Sequence, residues 1–558
     1  MLTDAERDEI VAGPTLRERL WRRFAEQAEA PALLVERPGA HDRERWLSYG
    51  DLGRLVNRTA HALAAAGAAP GRRVGVMLPN SERFVQVWLA LAGLNATMAP
   101  INVNLVGAGL RHALLSCDLD LLVVEAALLP AVLAACGEVP PARRTLVHGE
   151  DGAGTPDDAA WAAVPGSATL DFGARLATAP ETPPPPVAVD PADLALIIHT
   201  SGTTGPSKGV MLSRTAQLWH GLNYVTDFAR VGPGEVGYTP LPLFHVSAQG
   251  FSLGCLLSGA AIAIGVRFSA FSFWESLRRH NATSFNYVGA MIPLLYHRPP
   301  RADDADQPAV RAVGSATVPE LHEPFERRFG IHLMECYGQS ETAGLWLMEP
   351  PEGRRIGTVG GPRRWLAATV LREDGTEAAD GEEGELALRP AHPLLMTQGY
   401  LGDPQATAYA FRDGWYHTGD AAVRDADGFY RFRGRLKEFI RRRGENISAF
   451  EIEREALAHP AVREAAAVGV PSALGEEEVK LCVLLHEGAS VTPAALDRFL
   501  RPRLAAFMRP RYVEVRAEFP RTPTQRVQKW KLREEGVTPA TWDRRARRDR
   551  NARDGGTG

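Results

Sequence analysis

Residues His199 to Gly209 read His-Thr-Ser-Gly-Thr-Thr-Gly-Pro-Ser-Lys-Gly. Glycines let a backbone approach an anion closely. The amides around Gly202 and the hydroxyls of Thr200, Ser201, Thr203 and Thr204 can donate to phosphate oxygens, and Lys208 adds positive charge. The chemistry is that of a phosphate cradle. It is not a Walker A loop, because Ser207 stands five residues after Gly202 and no Gly-Lys-Ser/Thr follows the required gap. Further along, Tyr337-Gly-Gln-Ser-Glu341 offers a hydroxyl donor at Ser340 and a hard carboxylate at Glu341, an oxygen ligand of the kind Mg2+ shares with phosphates. Standing alone, Glu341 reads more readily as a solvated surface acid than as a metal ligand. In Trp415-Tyr-His-Thr-Gly-Asp420, the carboxylate of Asp420 offers paired acceptors for a ribose diol.

These groups need elements to hold them. The Gly/Ser/Thr loop follows LALII (Leu194 to Ile198), an apolar run that reads as a buried strand. Upstream, Leu52, Leu55, Val56, Ala60 and Leu63 fall at helical spacing with Gly67 as a stop, VGVM (Val74 to Met77) reads as a short strand, Phe84 to Leu94 as an apolar helix, and LLVVE (Leu121 to Glu125) as another strand. This alternation predicts a layered α/β architecture with a largely parallel sheet. Val246 to Val266 carries no charge over 21 positions, yet Gln249, Ser252, Ser258 and several glycines interrupt it. Gly259 divides it into a helix-like half and the strand-like AIAIGV, so a buried helix and strand is expected there, not a membrane span.

Gly149 to Pro191 is rich in Gly, Ala, Pro and Asp and includes Pro183 to Pro186, which reads as an exposed connection between sub-domains. From Glu438 to about Leu532 a smaller α+β unit is expected, with an amphipathic helix after Ser448, strands at Ala465 to Val470 and Lys480 to Leu485, a helix near Pro493 to Leu504 and a strand near Tyr512 to Val515. The expected division is a large N-terminal domain over 1–436, itself split near 150–190, a small mobile C-terminal domain over 437–533, and a basic, disordered tail over 534–558.

With 45% hydrophobic and 23% charged residues, the 558-residue composition is that of a globular chain. Lys and Arg number 63 against 67 Asp and Glu, so the net charge of -4 gives no general attraction to nucleic acid or anionic membrane. Any polyanion must be held locally. The five cysteines are dispersed and odd in number, which disfavours a disulfide framework and a zinc site and fits a reducing cytoplasm. The acidic N-terminus lacks the apolar core of a signal peptide, and no transit peptide is expected. Beyond Trp542 the charges are mixed and no aromatics interleave, as in a solvated tail rather than a nucleic-acid arm.

TSGTTGPSKG resembles the signature loop of the adenylate-forming superfamily of acyl-CoA synthetases, luciferases and peptide-synthetase adenylation domains. Further matches follow in the family's order: PLFHV at Pro242 to Val246, GSAT at Gly314 to Thr317, YGQSE at Tyr337 to Glu341, GELALR at Gly384 to Arg389, WYHTGD at Trp415 to Asp420, and GRLKEFIRRRGENIS at Gly434 to Ser448. The resemblance extends from about residue 15 to 533 and is nearest to the carnitine and crotonobetaine CoA-ligase branch. It implies an AMP-forming acid–CoA ligase using ATP, Mg2+ and CoA. By resemblance, Gly314, Ser315, Ala316, Tyr337 and Gly338 flank the adenine, Ser340 meets phosphate, Glu341 holds the metal, and Asp420 and Arg435 take the ribose. Lys437 is the hinge of the small domain, Gly444 to Ile447 joins the site for thioester formation, and Arg441 to Arg443 is either a CoA-phosphate contact or a solvated face. His245 matches an aromatic gate to the acyl tunnel, though a histidine among apolar residues also serves simply as packing. The carry-over lines the acid pocket with Trp219, His245, Gln249, Asn286, Tyr287, Gly314 and Gln339, a mixture suited to a compact acid rather than a long fatty tail.

One departure stands out. Where the family ends its small domain with Gly-Lys, this chain has Gln525-Arg526. Either Arg526 substitutes for the lysine, or Lys529 or Lys531 reaches in from a shifted register, or the step is altered. An adenylate-forming enzyme without CoA is therefore the alternative, one that loads a carrier protein or diazotises an aryl amine with nitrite. A nucleotide-binding regulator without turnover is a third reading. The partners expected are a small carboxylate and, in the alternative, a carrier protein, with the chain a monomer or homodimer.

Overall fold

The Ser48 side chain accepts from the amide of Asp51 at 3.1 Å, and the Asp51 carboxylate accepts from the amide of Ser48 at 3.3 Å. This reciprocal cap starts the helix Tyr49–Ala65, whose Leu52, Val56, Ala60 and Leu63 are buried at the expected helical spacing. The strand Arg73–Met77, the helix Glu82–Gly93 and the strand Leu119–Glu125 follow where the apolar runs place them.

The architecture comes from a computed structural model, which describes residues 9–37, 39–149, 164, 166–200, 207–317, 319–344, 347–350, 353–436, 439–472, 475–520 and 527–546. The described residues divide into two compact units. The larger draws on Met1–Val103, Ala113–His199 and Lys208–Gly434, and the smaller on Asn104–His112, Thr200–Ser207 and Arg435–Gly558.

Two large sheets organise the first unit. An eight-stranded sheet runs in the order Thr397–Tyr400, Lys208–Ser213, Leu194–Thr200, Thr97–Pro100, Arg73–Met77, Leu119–Glu125, Ala142–His148 and Ala168–Asp171. From Leu194–Thr200 to Ala142–His148 its neighbouring strands pair in parallel, while Thr397–Tyr400 pairs antiparallel with Lys208–Ser213. A nine-stranded sheet places Ser284–Val288, Arg311–Ser315 and His332–Tyr337 side by side, also in parallel. A smaller antiparallel sheet carries Leu366–Leu371, Glu383–Pro390 and Trp415–Arg424, with Tyr430–Arg435 paired to the last. Helices that are buried on most of their faces pack between the large sheets, as layered α/β folds require.

The uncharged run resolves as expected into the helix Val246–Ser258 and the strand Ala261–Ile264, with Gly259 at φ +83° ending the helix. Among the described residues no helix is long and apolar enough to cross a membrane. All five cysteines are free and buried.

Within the connection expected over Gly149 to Pro191, the described part from 166 is more ordered than its composition suggests. Ala168–Asp171 adds a parallel strand beside Ala142–His148, and Phe172, at the start of the helix Phe172–Thr178, is fully buried. Phe172 and Leu176 supply enough apolar surface to dock this segment, a signal submerged in its Gly and Pro content.

The smaller unit contains the hairpin Phe439–Arg442 with Glu445–Ser448, the helices Ala449–Leu457, Pro493–Leu500 and Lys529–Glu534, and a four-stranded sheet in the order Val462–Pro471, Glu477–Leu485, Tyr512–Val515, Trp542–Asp543. The last strand corrects the expectation of a disordered tail from 534. Trp542 and Asp543 pair with Val513 and Tyr512, and Asp543 accepts from Arg511 at 3.1 Å. Lys480, fully buried, meets Glu514 at 2.8 Å and donates to the Gly536 carbonyl at 2.7 Å, while the hydroxyls of Thr538 and Thr541 donate to the same Glu514. A buried lysine needs such partners, and residues beyond 534 provide them. Residues 547–558 lie outside those described.

Candidate active site

Asp420 lies at the middle of the strand Trp415–Arg424 and is 1% exposed. Its Oδ2 accepts from the Tyr337 hydroxyl at 2.5 Å and from Gln339 Nε2 at 2.7 Å. Gln339 Nε2 also reaches the Thr418 carbonyl at 3.0 Å, and its Oε1 accepts from the Tyr416 hydroxyl at 2.7 Å. Burial, with the nearby Glu341 charge adding to it, pushes the Tyr416 hydroxyl well above its ordinary value, so it stays a donor. The YGQSE and YHTGD segments, about eighty residues apart in sequence, are thus joined by one hydrogen-bonded knot. Glu385, from the GELALR segment, holds the far side. It accepts from the Gly419 amide at 3.0 Å and lies 2.8 Å from His417 Nδ1.

Beside this knot the strand Arg311–Ser315 ends at Ala316, which is exposed and takes a left-handed φ of +64°. Gly314 is buried there, and a Cβ on it would lie 2.3 Å from the Tyr287 carbonyl, so only glycine fits. Gly338 is exposed, and the Tyr337 ring lies 6.2 Å from that of Phe432. The result is a shelf of exposed backbone with aromatic flanks, a surface on which a planar base can lie.

Glu341 sits in the single-turn helix Ser340–Thr342 and is 9% exposed. Its Oε1 accepts from the Tyr400 hydroxyl at 3.0 Å, and the Tyr400 ring carries Lys208 Nζ over its face at 4.8 Å. Tyr400 therefore stands between the lysine of the glycine-rich loop and the carboxylate. A carboxylate oxygen is the kind of ligand that suits Mg2+, although among the described residues no group of three or more His, Cys, Asp or Glu gathers to hold a metal, at Glu341 or elsewhere. Thr200 ends its strand at half exposure. Ser201, Gly202, Thr203 and Thr204 lie outside the described residues, as do Lys437 and Arg526, and the Arg435 side chain is likewise not described.

Of the pocket residues, Trp219 packs edge-on to Trp365 at 4.4 Å, and His245, half-buried, stands at the start of the helix Val246–Ser258 against Phe244. Gln249 donates to the Leu243 carbonyl at 2.8 Å, Asn286 is fully buried, and Tyr287 is turned under the shelf, its hydroxyl 2.8 Å from Thr317 Oγ1. His245 and Gln339 are partly exposed, whereas Trp219, Gln249, Asn286 and Tyr287 are buried.

In the smaller unit Lys529 Nζ meets Glu453 at 2.8 Å, and Lys531 Nζ lies 5.4 Å from the Trp530 ring. Arg442 is buried, pairs with Glu478 at 2.6 Å and donates to the carbonyls of Phe507 and Arg509, so within the arginine cluster it is a structural cation. Tyr400, Tyr416 and Glu385 were not singled out from sequence, although the last two lie inside recognised motifs; Tyr400 alone carries no local signal beyond following a glycine at φ +115°.

Residues 20–401 match the AMP-binding enzyme family, and residues 451–526 match the AMP-binding enzyme C-terminal domain. The chain belongs to this family of adenylate-forming acid–CoA ligases. It is 35% identical over 518 residues to the sulfoacetate–CoA ligase of Cupriavidus necator, covering 91% of this chain and 96% of that protein. It is 30% identical to the crotonobetaine/carnitine–CoA ligase of Salmonella arizonae, covering 94% and 100%. Among solved structures, the amide bond synthetase McbA of Marinactinospora thermotolerans matches with a TM-score of 0.79 at 25% identity, covering 93% of this chain and 99% of that one.

Proposed function

We propose that the enzyme activates a small or aromatic carboxylic acid with ATP and Mg2+ as an acyl-adenylate and transfers the acyl group to CoA. The observation that carries this reading is the Asp420–Tyr337–Gln339 knot around a buried carboxylate, beside the exposed backbone at Ala316 and Gly338, which together suit a ribose and an adenine. The substrate carboxylate attacks the α-phosphorus in line, the bond to pyrophosphate breaks, and CoA sulfur then displaces AMP from the mixed anhydride. Thr200, Ser201, Gly202, Thr203, Thr204 and Lys208 cradle the phosphates, and Ser340 adds a hydroxyl. Asp420 and Arg435 orient the ribose. Glu341 holds Mg2+, which when bound neutralises charge on the departing pyrophosphate.

Arg526 is the proposed counterpart of the family's lysine, stabilising charge as it spreads between carboxylate and α-phosphate. Lys529 is the weaker candidate, because its ammonium group is committed to Glu453. Lys437 is proposed as the hinge on which the smaller unit turns between half-reactions. The paired Trp219 and Trp365 and the half-buried His245 support a compact acid, as do relatives named for sulfoacetate and for crotonobetaine and carnitine.

A second reading, adenylation followed by transfer to an amine or carrier rather than CoA, is favoured by the Gln525-Arg526 departure and by the similarity to an amide bond synthetase. One assay separates them: AMP and pyrophosphate release from ATP and Mg2+ over a panel of short, aromatic and betaine acids, with and without CoA, and with amine and nitrite arms. CoA-dependent turnover giving an acyl-CoA supports the first reading; turnover only in the arms without CoA replaces it with the second. Arg526→Ala should then suppress pyrophosphate release far more than Lys529→Ala.

A further inference from the structure

His332–Tyr337, parallel to Arg311–Ser315 on one side and antiparallel to Leu347–Met348 on the other, is an inner strand of apolar character, His-Leu-Met-Glu-Cys-Tyr, interrupted by Glu335. Residues i and i+2 of a strand share a face, so Glu335 lies on the same side as Tyr337, which binds Asp420. Glu335 is buried. Its Oε1 accepts from the Ala316 amide at 2.5 Å, the Thr317 amide lies 3.2 Å from Oε2, and the Tyr287 hydroxyl donates to Oε2 at 3.3 Å. The Tyr287 hydroxyl is also 2.8 Å from Thr317 Oγ1. One carboxylate thereby gathers donors from the neighbouring strand end and from the strand beyond it. Both amides belong to the turn in which Ala316 adopts its left-handed conformation, a strained choice for a residue with a Cβ. From the other side the turn is fitted against Gly289, where a Cβ would lie 1.9 Å from the Ala316 carbonyl.

We propose that Glu335 is a positioning residue for nucleotide: by accepting the Ala316 and Thr317 amides it fixes the exposed turn at the height of Tyr337 and so sets affinity for the adenine end of ATP and AMP. The inference rests on the reading of this shelf as the adenine site. Glu335 itself, buried beneath the turn, touches no ligand.

The test is AMP binding by titration calorimetry with the full chain, alongside steady-state kinetics in ATP and in the acid. Glu335→Ala should weaken AMP binding about tenfold and raise KM for ATP in step, with kcat at saturating ATP and KM for the acid changed less than about twofold. Glu335→Gln keeps a carbonyl for the two amides and should bind AMP within about threefold of wild type. Should Glu335→Ala fail to fold, Tyr287→Phe, which removes one donor and releases Thr317, should still weaken AMP binding by about threefold. Unchanged AMP affinity in the variants, a glutamine variant no better than alanine, or a loss confined to kcat would overturn the proposal. Wild-type protein that bound no nucleotide would instead overturn the reading of the site itself.

Discussion

Asp420 and Glu341 are both buried carboxylates of the larger unit, yet their surroundings differ. Asp420 is tied to Tyr337 and Gln339, and through Gln339 to Tyr416 and Thr418, all on or beside strands. Glu341 sits on a single helical turn and meets Tyr400, which in turn faces Lys208 from the edge of the glycine-rich segment. The contrast suits the two ends of a nucleotide. A ribose and base keep their shape through the reaction and are best met by a rigid frame. The phosphates change charge and geometry and need groups whose partners can be exchanged.

Removing one member from each end tests this contrast. Asp420→Ala deprives buried donors of their acceptor as well as removing the proposed ribose contact, and kcat/KM for ATP should fall on the order of a thousandfold, with AMP binding lost in parallel by calorimetry. Glu341→Ala should lower pyrophosphate release about a hundredfold and raise the Mg2+ concentration for half-maximal rate, while AMP binding measured without metal stays unchanged. An equal loss of AMP binding in both variants would erase the distinction.

Tyr400 sharpens it further. Tyr400→Phe retains the ring beneath Lys208 and drops the hydroxyl bond to Glu341, for an expected threefold to tenfold loss of kcat/KM for ATP, about 1 kcal/mol. Tyr400→Leu loses the ring as well and should cost about a further fivefold.

The smallest effect concerns stability. Burial pushes Glu335 up to about 7 against the opposing bonds from Thr317 and Ala316, with the Glu349 charge adding to the rise; burial likewise raises Glu349 to about 7, opposed by the charges of Arg354 and His332 and reinforced by that of Glu326. Between the ordinary carboxylate value of 4.5 and about 7 the folded chain holds protons that the unfolded chain releases, so the ligand-free protein should lose thermal stability as pH rises through that window. Glu335→Gln, neutral throughout, should show a shallower decline in Tm between pH 5 and 8.

Much of this was legible in the sequence because the apolar periodicity is strong: the helix at Tyr49–Ala65, the split at Gly259 and the small unit's strands fall where their patterns put them. The motifs named Asp420, Tyr337 and Glu341, but not that Gln339 would serve as the brace between two of them, since a side chain's partner some eighty residues away leaves no local trace. Composition misled at both connections. The buried Phe172 docks the one, and hydrogen bonds of the Gly536 carbonyl and the Thr538 and Thr541 hydroxyls with the buried Lys480–Glu514 pair dock the other, both segments whose average character is that of a loop or tail. Glu335 did leave a mark, an acid inside an apolar strand, and such an interruption asks for a reason.

The strand Trp542–Asp543 is short, but it covers Tyr512 and Val513, which would otherwise present unmatched amides and carbonyls at the margin of the sheet. Ending an expression clone at the last helix, near 534, would uncover that margin and strip Lys480 of a carbonyl partner together with the two threonines that steady its glutamate. The shortened enzyme would then be prone to adding strands from its neighbours, so the two-residue strand Trp542–Asp543 covers an edge as well as completing the sheet.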